Sequence, residues 1–425
     1  MDVDKQKALL FGSAAALRLL LFTAFPSLPD VLAGRVELST PVTSFKRLQE
    51  GLFLYNRNVS PFDGGTYHQS PLLLPLFSLL PNAQRYPLAT SLLYVVADLV
   101  GADALMKIAD TGVAVSSRLF TSSRRELRRS STTIAAGYLF NPFIVLTCLA
   151  RPTSVFTHTL ILQATSRAAT GQSITFILAL ALASYLSLYP LLLFPPLLIL
   201  CYDAQSSAKP IQSTTSNALT FTIRYTSLFF ATIVALLLLS YGLTSSWSFL
   251  NAHYLHIILL PSLTPNVGLW WYFFTEMFDS FRAFFLGVFW LHMFAYMPAL
   301  SIRFRTQPLF VVCALLGVVS VYAPYPAVGE AGLFLSFLGA FRHVFPLMRY
   351  TFPAVSSLLY CTLLGPAFYH LWVYAGSGNA NFFYAITLVW SLGLTVILAD
   401  AIYAVLRDEW EVERPDMRGK EVRRV

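Results

Sequence analysis

"ALLFGSAAALRLLLFTAF", residues 8 to 25, is an apolar run preceded by Lys5 and Lys7 and closed by Pro26. Its length is close to the roughly 20 apolar residues that carry a helix across about 30 Å of hydrocarbon. The lysines in front give it the outline of a signal peptide, but no small-x-small cleavage site follows before Pro26. It reads as a retained first span. The rest of the 425-residue chain agrees: 56% of the residues are hydrophobic and 12% charged, against about 25% charged in soluble domains. The solvent for most of this chain is lipid.

Similar runs recur near 87 to 107, 131 to 149, 154 to 168, 173 to 187, 188 to 202, 219 to 241, 268 to 298, 307 to 323, 331 to 348, 352 to 374 and 381 to 406. The sequence thus predicts an all-α, polytopic membrane protein with about 12 transmembrane helices. Residues 1 to 406 form a single multi-span domain and 407 to 425, "RDEWEVERPDMRGKEVRRV", a polar, disordered cytosolic tail. The apolar segments 71 to 80 and 249 to 260 are too short to span and read as re-entrant or interfacial helices packed on protein.

Arg124, Arg125, Arg128 and Arg129, then Arg303 with Arg305, and the basic tail fall on one side if the span count is even. The positive-inside rule makes that side, with both termini, cytosolic. The loops 27 to 70, 242 to 267, 324 to 330 and 375 to 380 then lie on the far, luminal side, although Arg35, Lys46, Arg47 and Arg57 in the first of them run against the rule. The net charge of +8 is spread over loops and tail, so it reads as topogenic charge and contact with lipid headgroups, not as a nucleic-acid stripe. Cys148, Cys201, Cys313 and Cys361 sit in apolar surroundings without metal spacing, which leaves no disulfide framework, metal site or activated thiol. Asn58-Val59-Ser60 is a glycosylation sequon followed directly by Pro61.

In the first luminal loop, "SFKRLQEGLFLYNRNVSP" spaces Phe45, Leu48, Leu52 and Leu54 as an amphipathic helix suited to the membrane interface. An Asp63-Gly64-Gly65 turn and "YHQSPLLLPLF" follow. This pattern resembles the first luminal region of the membrane mannosyltransferases of GPI assembly, which have the multi-span GT-C fold. The resemblance implies a paired-acid motif just after the first span. Here "RVELSTPVTSFKRL" has Glu37 alone, and Asp63 belongs to a turn. The scaffold is present without its catalytic acids.

A second resemblance covers nearly the whole chain. The blocks from Glu37 to Phe77, "LASYLSLYPLLLFPPLLI", "LTPNVGLWWYFFTEMFDSFRAFF", "YPAVGEAGLFL" and "HLWVYAGSGNANFFYAITL" are each similar to the U subunit of GPI transamidase, the PIG-U family, in the family's order. The resemblance implies a GT-C-like, non-catalytic, multi-span subunit of an endoplasmic reticulum membrane complex. Its partners would be a catalytic cysteine-protease-like subunit, further membrane subunits, the GPI glycolipid and membrane lipids. No cofactor is implied.

The residues suggest where such a glycolipid would sit. In "LWWYFFTEMFDSFRAFFLGVFW", Trp270, Phe274, Phe278, Phe281 and Phe285 fall on one stripe if the segment is a single helix. Glu276, Asp279 and Arg282 recur every three residues and pair along it, while Trp270, Trp271 and Tyr272 form an aromatic belt. This is either a lipid groove or an intersubunit face. Gly376, Ser377 and Gly378 break the chain before Asn379 and Asn381, of which Asn381 caps the last span and both face a headgroup. Glu330 is a partner for a glucosamine or ethanolamine amine, or simply a favourable charge at a helix start. His68, His253 and His256 read as hydrogen-bonded loop or interfacial residues without acid or thiol ligands close by. Three functions stay open: a lipid-positioning subunit, an active GT-C glycosyltransferase with Glu37 or Asp63 as base, and a pure assembly scaffold.

Overall fold

A computed structural model describes residues 3–83, 85–207 and 215–420. The described residues are 74% helical with no strand, and the all-α polytopic class is confirmed. In chain order the helices are α1 (Val3–Ala24), α2 (Leu28–Leu32), α3 (Phe45–Tyr55), α4 (Leu73–Ser78), α5 (Pro87–Asp110), α6 (Ser131–Leu139), α7 (Pro142–Ala150), α8 (Ser154–Ala169) and α9 (Ser173–Leu186). There follow α10 (Phe194–Ser207), α11 (Thr215–Thr244), α12 (His256–Leu259), α13 (Trp270–Thr275), α14 (Asp279–Arg303), α15 (Pro308–Tyr322), α16 (Val328–Leu338), α17 (Thr351–Val373) and α18 (Ala380–Glu413). Each of the twelve expected runs falls on helix. Local chemistry sets several of the boundaries: Pro87 and Pro308 open α5 and α15, and Ser130 caps α6 by accepting from the Thr133 N–H. The run 131 to 149 is bent by 51° where α6 meets α7, because Asn141 is extended and caps α7 while Pro142 has no N–H to continue the helix.

Among the described residues five helices are long and apolar enough to cross a membrane, or six if the bent α6–α7 pair is one span, instead of about twelve. The difference is physical. Helix α15 is apolar on every side, but at 15 residues it is about 22 Å long, and every residue from Pro308 to Val321 is buried in protein. Hydropathy cannot tell a helix surrounded by lipid from one surrounded by other helices. Around it stand α10, α14, α16 and α18. Conversely, only 11% of the apolar stretch of α11 and of α14 is buried, so Phe230, Leu239, Phe284 and Leu291 face outward onto what must be hydrocarbon.

Two ends of the bundle are distinguished by their contacts. At one, Lys7 pairs with Asp103, Arg305 with Asp203, Arg303 with Glu409, and Arg124 with Asp408 and Glu411. The start of α1 and the end of α18 therefore lie at the same end as the basic blocks. The tail expected to be disordered after 406 is helical to Glu413, with Arg407, Asp408 and Glu411 buried in this network; Arg407 also donates to the carbonyls of Met417 and Lys420. Residues 421 to 425 lie outside the described residues. At the other end the Val328 N–H donates to the Glu37 carbonyl and the Tyr325 hydroxyl to the Ser262 carbonyl. Helix α3 does not rest its apolar face on the interface: Phe45 and Leu48 are buried against protein, with Phe45 packing on the rings of Phe77 and Tyr94.

Inside the membrane layer, α1 is fastened to α5 by one ion pair. Arg18 Nε donates to Asp98 Oδ2 at 2.9 Å, and the two residues are 0% and 2% exposed. Removing one partner strands a charge in a low dielectric, at a cost of about 3–5 kcal/mol, whereas an apolar pair of similar volume is close to neutral. Arg18→Met or Asp98→Leu alone should therefore lower the melting temperature in detergent sharply, and the double replacement should recover most of the loss.

Candidate lipid-binding site

The segment 269 to 290 is not one helix. Helix α13 ends at Thr275, Glu276 to Phe278 form a break, and α14 starts at Asp279, so the expected single stripe is divided. Trp270 and Phe274 point into protein, 1% and 2% exposed, with Trp270 Nε1 donating to the Tyr322 carbonyl at 2.9 Å. Phe278 and Phe281 are 79% and 55% exposed, and Phe285 is half-buried. The expected ladder of Glu276, Asp279 and Arg282 does not form. Glu276 and Asp279 are exposed, while Arg282 donates to the Leu260 carbonyl at 2.6 Å and stands over the Phe274 ring. The aromatic belt is likewise internal at Trp270 and Trp271.

What the break achieves is to bring α13 against the start of α18. Asn379, not Asn381, is the cap: its Oδ1 accepts from the N–H groups of Asn381 and Phe382. Asn381 Oδ1 accepts instead from the Tyr272 hydroxyl, and Tyr384 donates to the Leu269 carbonyl at 3.2 Å. The ring of Trp271 lies against Trp372, Phe383 and Tyr384, tying α13 to both α17 and α18. Both asparagines are exposed beside this aromatic cluster, so their amide N–H groups remain available to a ligand.

Next to the cluster opens a cavity of about 310 Å³, walled by Leu38, Phe143, Cys361, Gly365, Ile386 and Trp390. Its lining is overwhelmingly apolar, and its polar mouth is Arg35 with Glu37. The two form a fork-like pair at 2.8 and 3.2 Å, and Arg35 also stands over the Tyr369 ring. An apolar slot between α7, α17 and α18 that also holds a charged pair suits a molecule with acyl chains and a polar head. Periodicity along one helix does not single out Gly365, Ile386 and Trp390, because the slot exists only where α17 and α18 come together beside α7. Glu37, a lone acid in the sequence, is held here by Arg35.

Glu330 is elsewhere. It accepts from the Ala327 N–H at 2.9 Å, closing the start of α16, and faces His158 at 3.5 Å beside a small interior pocket shared with Gln69 and His253. It does not meet Asn379 or Asn381 at the rim. The histidines of the loops form a clasp. His68 Nδ1 bonds the Ala252 carbonyl at 2.8 Å, His253 Nδ1 bonds the His68 carbonyl at 2.9 Å, and the rings of His68 and His256 stack at 3.7 Å. Among the described residues no group of three His, Cys, Asp or Glu side chains could hold a metal. Asp63 lies in the turn at Gly64, whose φ of +83° is glycine's region.

This is a polytopic helical membrane protein with an apolar slot beside an aromatic cluster. The family model described as "GPI transamidase subunit PIG-U" matches residues 12–390, and the chain belongs to that family. It is 34% identical over 413 residues to the human protein named GPI-anchor transamidase component PIGU, covering 93% of each chain. To the GPI transamidase component GAB1 of Saccharomyces cerevisiae it is 36% identical over 410 residues, covering 95% of this chain and 96% of that one. The Schizosaccharomyces pombe GAB1 homolog is 32% identical over 397 residues, 91% of this chain and 90% of the relative.

Burial drives the pKa values of His253 and His256 down to about 4, against about 6.5 in the unfolded chain. Between these values the open form binds more protons than the closed one, so the clasp is stable at neutral pH and weakens as pH falls from about 6.5 towards 4. Hydrogen exchange of residues 66 to 70 and 250 to 256 should accelerate over that window in the wild type, and the pH dependence should shrink in His256→Phe, which keeps the stacking.

Proposed function

We propose that this chain is a component of the GPI transamidase complex that binds the GPI glycolipid and positions it for attachment to the C-terminus of proproteins, without performing the chemistry itself. It works in the endoplasmic reticulum membrane with both termini and the basic blocks cytosolic, alongside a catalytic cysteine-protease-like subunit and further membrane subunits. The names of the relatives support the complex. The observation that carries the lipid reading is the slot between α7, α17 and α18, whose mostly apolar lining includes the Arg35–Glu37 pair and Phe383, the latter packed on Trp271 next to the Tyr272–Asn381 bond.

In this reading the acyl chains lie against Phe143, Ile386 and Trp390, and the glycan meets the rim, where Asn381 and Asn379 offer amide donors and Glu37 with Arg35 matches amine and phosphate groups. The terminal ethanolamine amine then reaches the partner's acyl-enzyme. The gain is proximity: effective molarities for well-placed reactants reach about 10⁵ M and above. Trp270, Phe274 and Arg282 serve by holding α13 and α14 in place, while Phe278, Phe281, Glu276 and Asp279 face outward, available to lipid or to another subunit. A glycosyltransferase reading has little support, since Glu37 is occupied by Arg35 and Asp63 by a turn.

Two substitutions separate binding from scaffolding. At Gly365 an added Cβ would meet only Ile386, at an ordinary 3.6 Å, so Gly365→Leu fills the slot without disturbing backbone. Asn381→Ala removes a rim amide and, with the Tyr272 bond gone, should lower GPI attachment about three- to tenfold, the worth of one hydrogen bond; Gly365→Leu should do at least as much. Both complexes should assemble normally when purified through a partner subunit. Glu37→Gln should leave most of the attachment intact; its abolition would favour an enzyme, and loss of assembly in the first two variants would favour a scaffold.

A further inference from the structure

A second groove, of about 580 Å³, opens on the opposite side of α2 at the same end of the bundle. The short helix divides the two: Val31 and Leu32 line the slot described above, whereas Pro29 and Asp30 line this groove. Its floor is Arg151, the first of the three residues that join α7 to α8. Arg151 has φ +59°, in the left-handed region that a residue with a Cβ rarely occupies, and it is 5% exposed. Its guanidinium lies over the Phe45 ring at 4.6 Å and Nη2 bonds Asp30 Oδ1 at 2.8 Å. The Nε is buried without a partner. A strained backbone, an ion pair and an aromatic stack thus combine to hold a guanidinium whose donors are incompletely used.

The rest of the groove indicates what would use them. Lys46 is exposed on its rim and makes no ion pair among the described residues, and Gln49 beside it makes no side-chain hydrogen bond there. Lys46, Arg151 and Asp30 are the titratable residues of the lining, which gives a net charge of +1. The opposite wall is apolar, with Phe22 at the end of α1 and Pro87 and Leu88 at the start of α5. From Leu88 an outward stripe continues along α5 at every fourth residue: Leu88, Leu92, Val96 and Val100 are 51%, 51%, 46% and 40% exposed. This places one positive charge and free donors at the interface, directly above a lipid-facing apolar track that runs down into the membrane layer.

We propose that this groove binds the phosphodiester headgroup of a monoanionic glycerophospholipid, with Arg151, Lys46 and Gln49 on the phosphate and one acyl chain along the α5 stripe. Asp30 matches its role: it keeps the site at +1, suited to a single phosphodiester rather than to a polyphosphate. The ligand and place are distinct from the glycolipid slot, and the site stands whether or not that slot binds GPI.

The test uses the purified complex reconstituted into phosphatidylcholine nanodiscs containing phosphatidylglycerol, which has the required charge and no glycan. Phospholipid that survives re-extraction into detergent is quantified by mass spectrometry. Wild type should retain phosphatidylglycerol about fivefold over its bilayer fraction, as expected for about 1 kcal/mol per basic residue near a surface. Lys46→Glu, an exposed change that leaves the fold alone, should abolish the enrichment, Gln49→Glu should reduce it, and Asn381→Ala should preserve it. Inorganic phosphate at millimolar concentration should not displace the lipid. Equal enrichment in wild type, Lys46→Glu and Gln49→Glu would overturn the proposal, and so would displacement by inorganic phosphate, which would mark a simple anion site.

Discussion

The bond between Arg18 and Asp98 constrains everything around the first loop. An ion pair with both members buried at membrane depth holds only if its geometry is kept, because either charge without its counter-charge is costly in a low dielectric. It fixes α1 against the middle of α5, and with Lys7 and Asp103 at one end it fixes the register as well. The exit of α1 at Ala24 and the entry of α5 at Pro87 are thereby held side by side. The intervening residues 25 to 86, which contain α2, α3, α4 and His68 of the histidine clasp, must fold back over a fixed base. Both grooves take part of their lining from this returning loop, so their shapes depend on a contact that neither of them includes.

The all-helical, polytopic character was legible from the first apolar run onward, because hydrocarbon demands long apolar helices and a water-soluble core does not. The number of complete spans was not. Hydropathy registers what a helix is made of but not what surrounds it, and α15, with every face apolar, is the innermost helix instead of a lipid-facing one. The same blindness affects polar segments. The sequence from Arg407 to Glu413 looks like a solvated tail, yet Asp408 and Glu411 are buried because Arg124, some 280 residues earlier, reaches them. A charge run is disordered only if no counter-charge is folded against it, and that partner is invisible to local reading.

The site was legible in its parts but not in its assembly. Asn381 and the aromatic segment from Trp270 to Tyr272 both stood out as an amide and a set of rings suited to a membrane boundary, whereas Trp270 and Trp271 are buried in protein and Tyr272 bonds Asn381. That they meet depends on the break between Thr275 and Asp279. Periodicity carried the helix straight through it, since Phe278 and Phe281 continue the 3.6-residue spacing perfectly well. Phe278 is extended, not helical, so a pattern designed for one face ended on two.

That break also has an energetic logic. A straight helix from Trp270 to Arg303 would have 34 residues, about 50 Å long, well beyond the hydrocarbon thickness, and its first turns would stand clear of the bundle. By folding α13 aside, the chain buries Trp270, Trp271 and Phe274 and lets Tyr272 bond Asn381. Fully burying such rings contributes about 1.5–3 kcal/mol each, enough to offset the interrupted helical hydrogen bonds of three residues. The aromatic side chains that looked like the wall of a groove are then better described as what holds the rim of the groove in place. The wall itself comes from α7, α17 and α18, and the rings of Trp271 and Tyr384 pack on Tyr272 where it bonds Asn381.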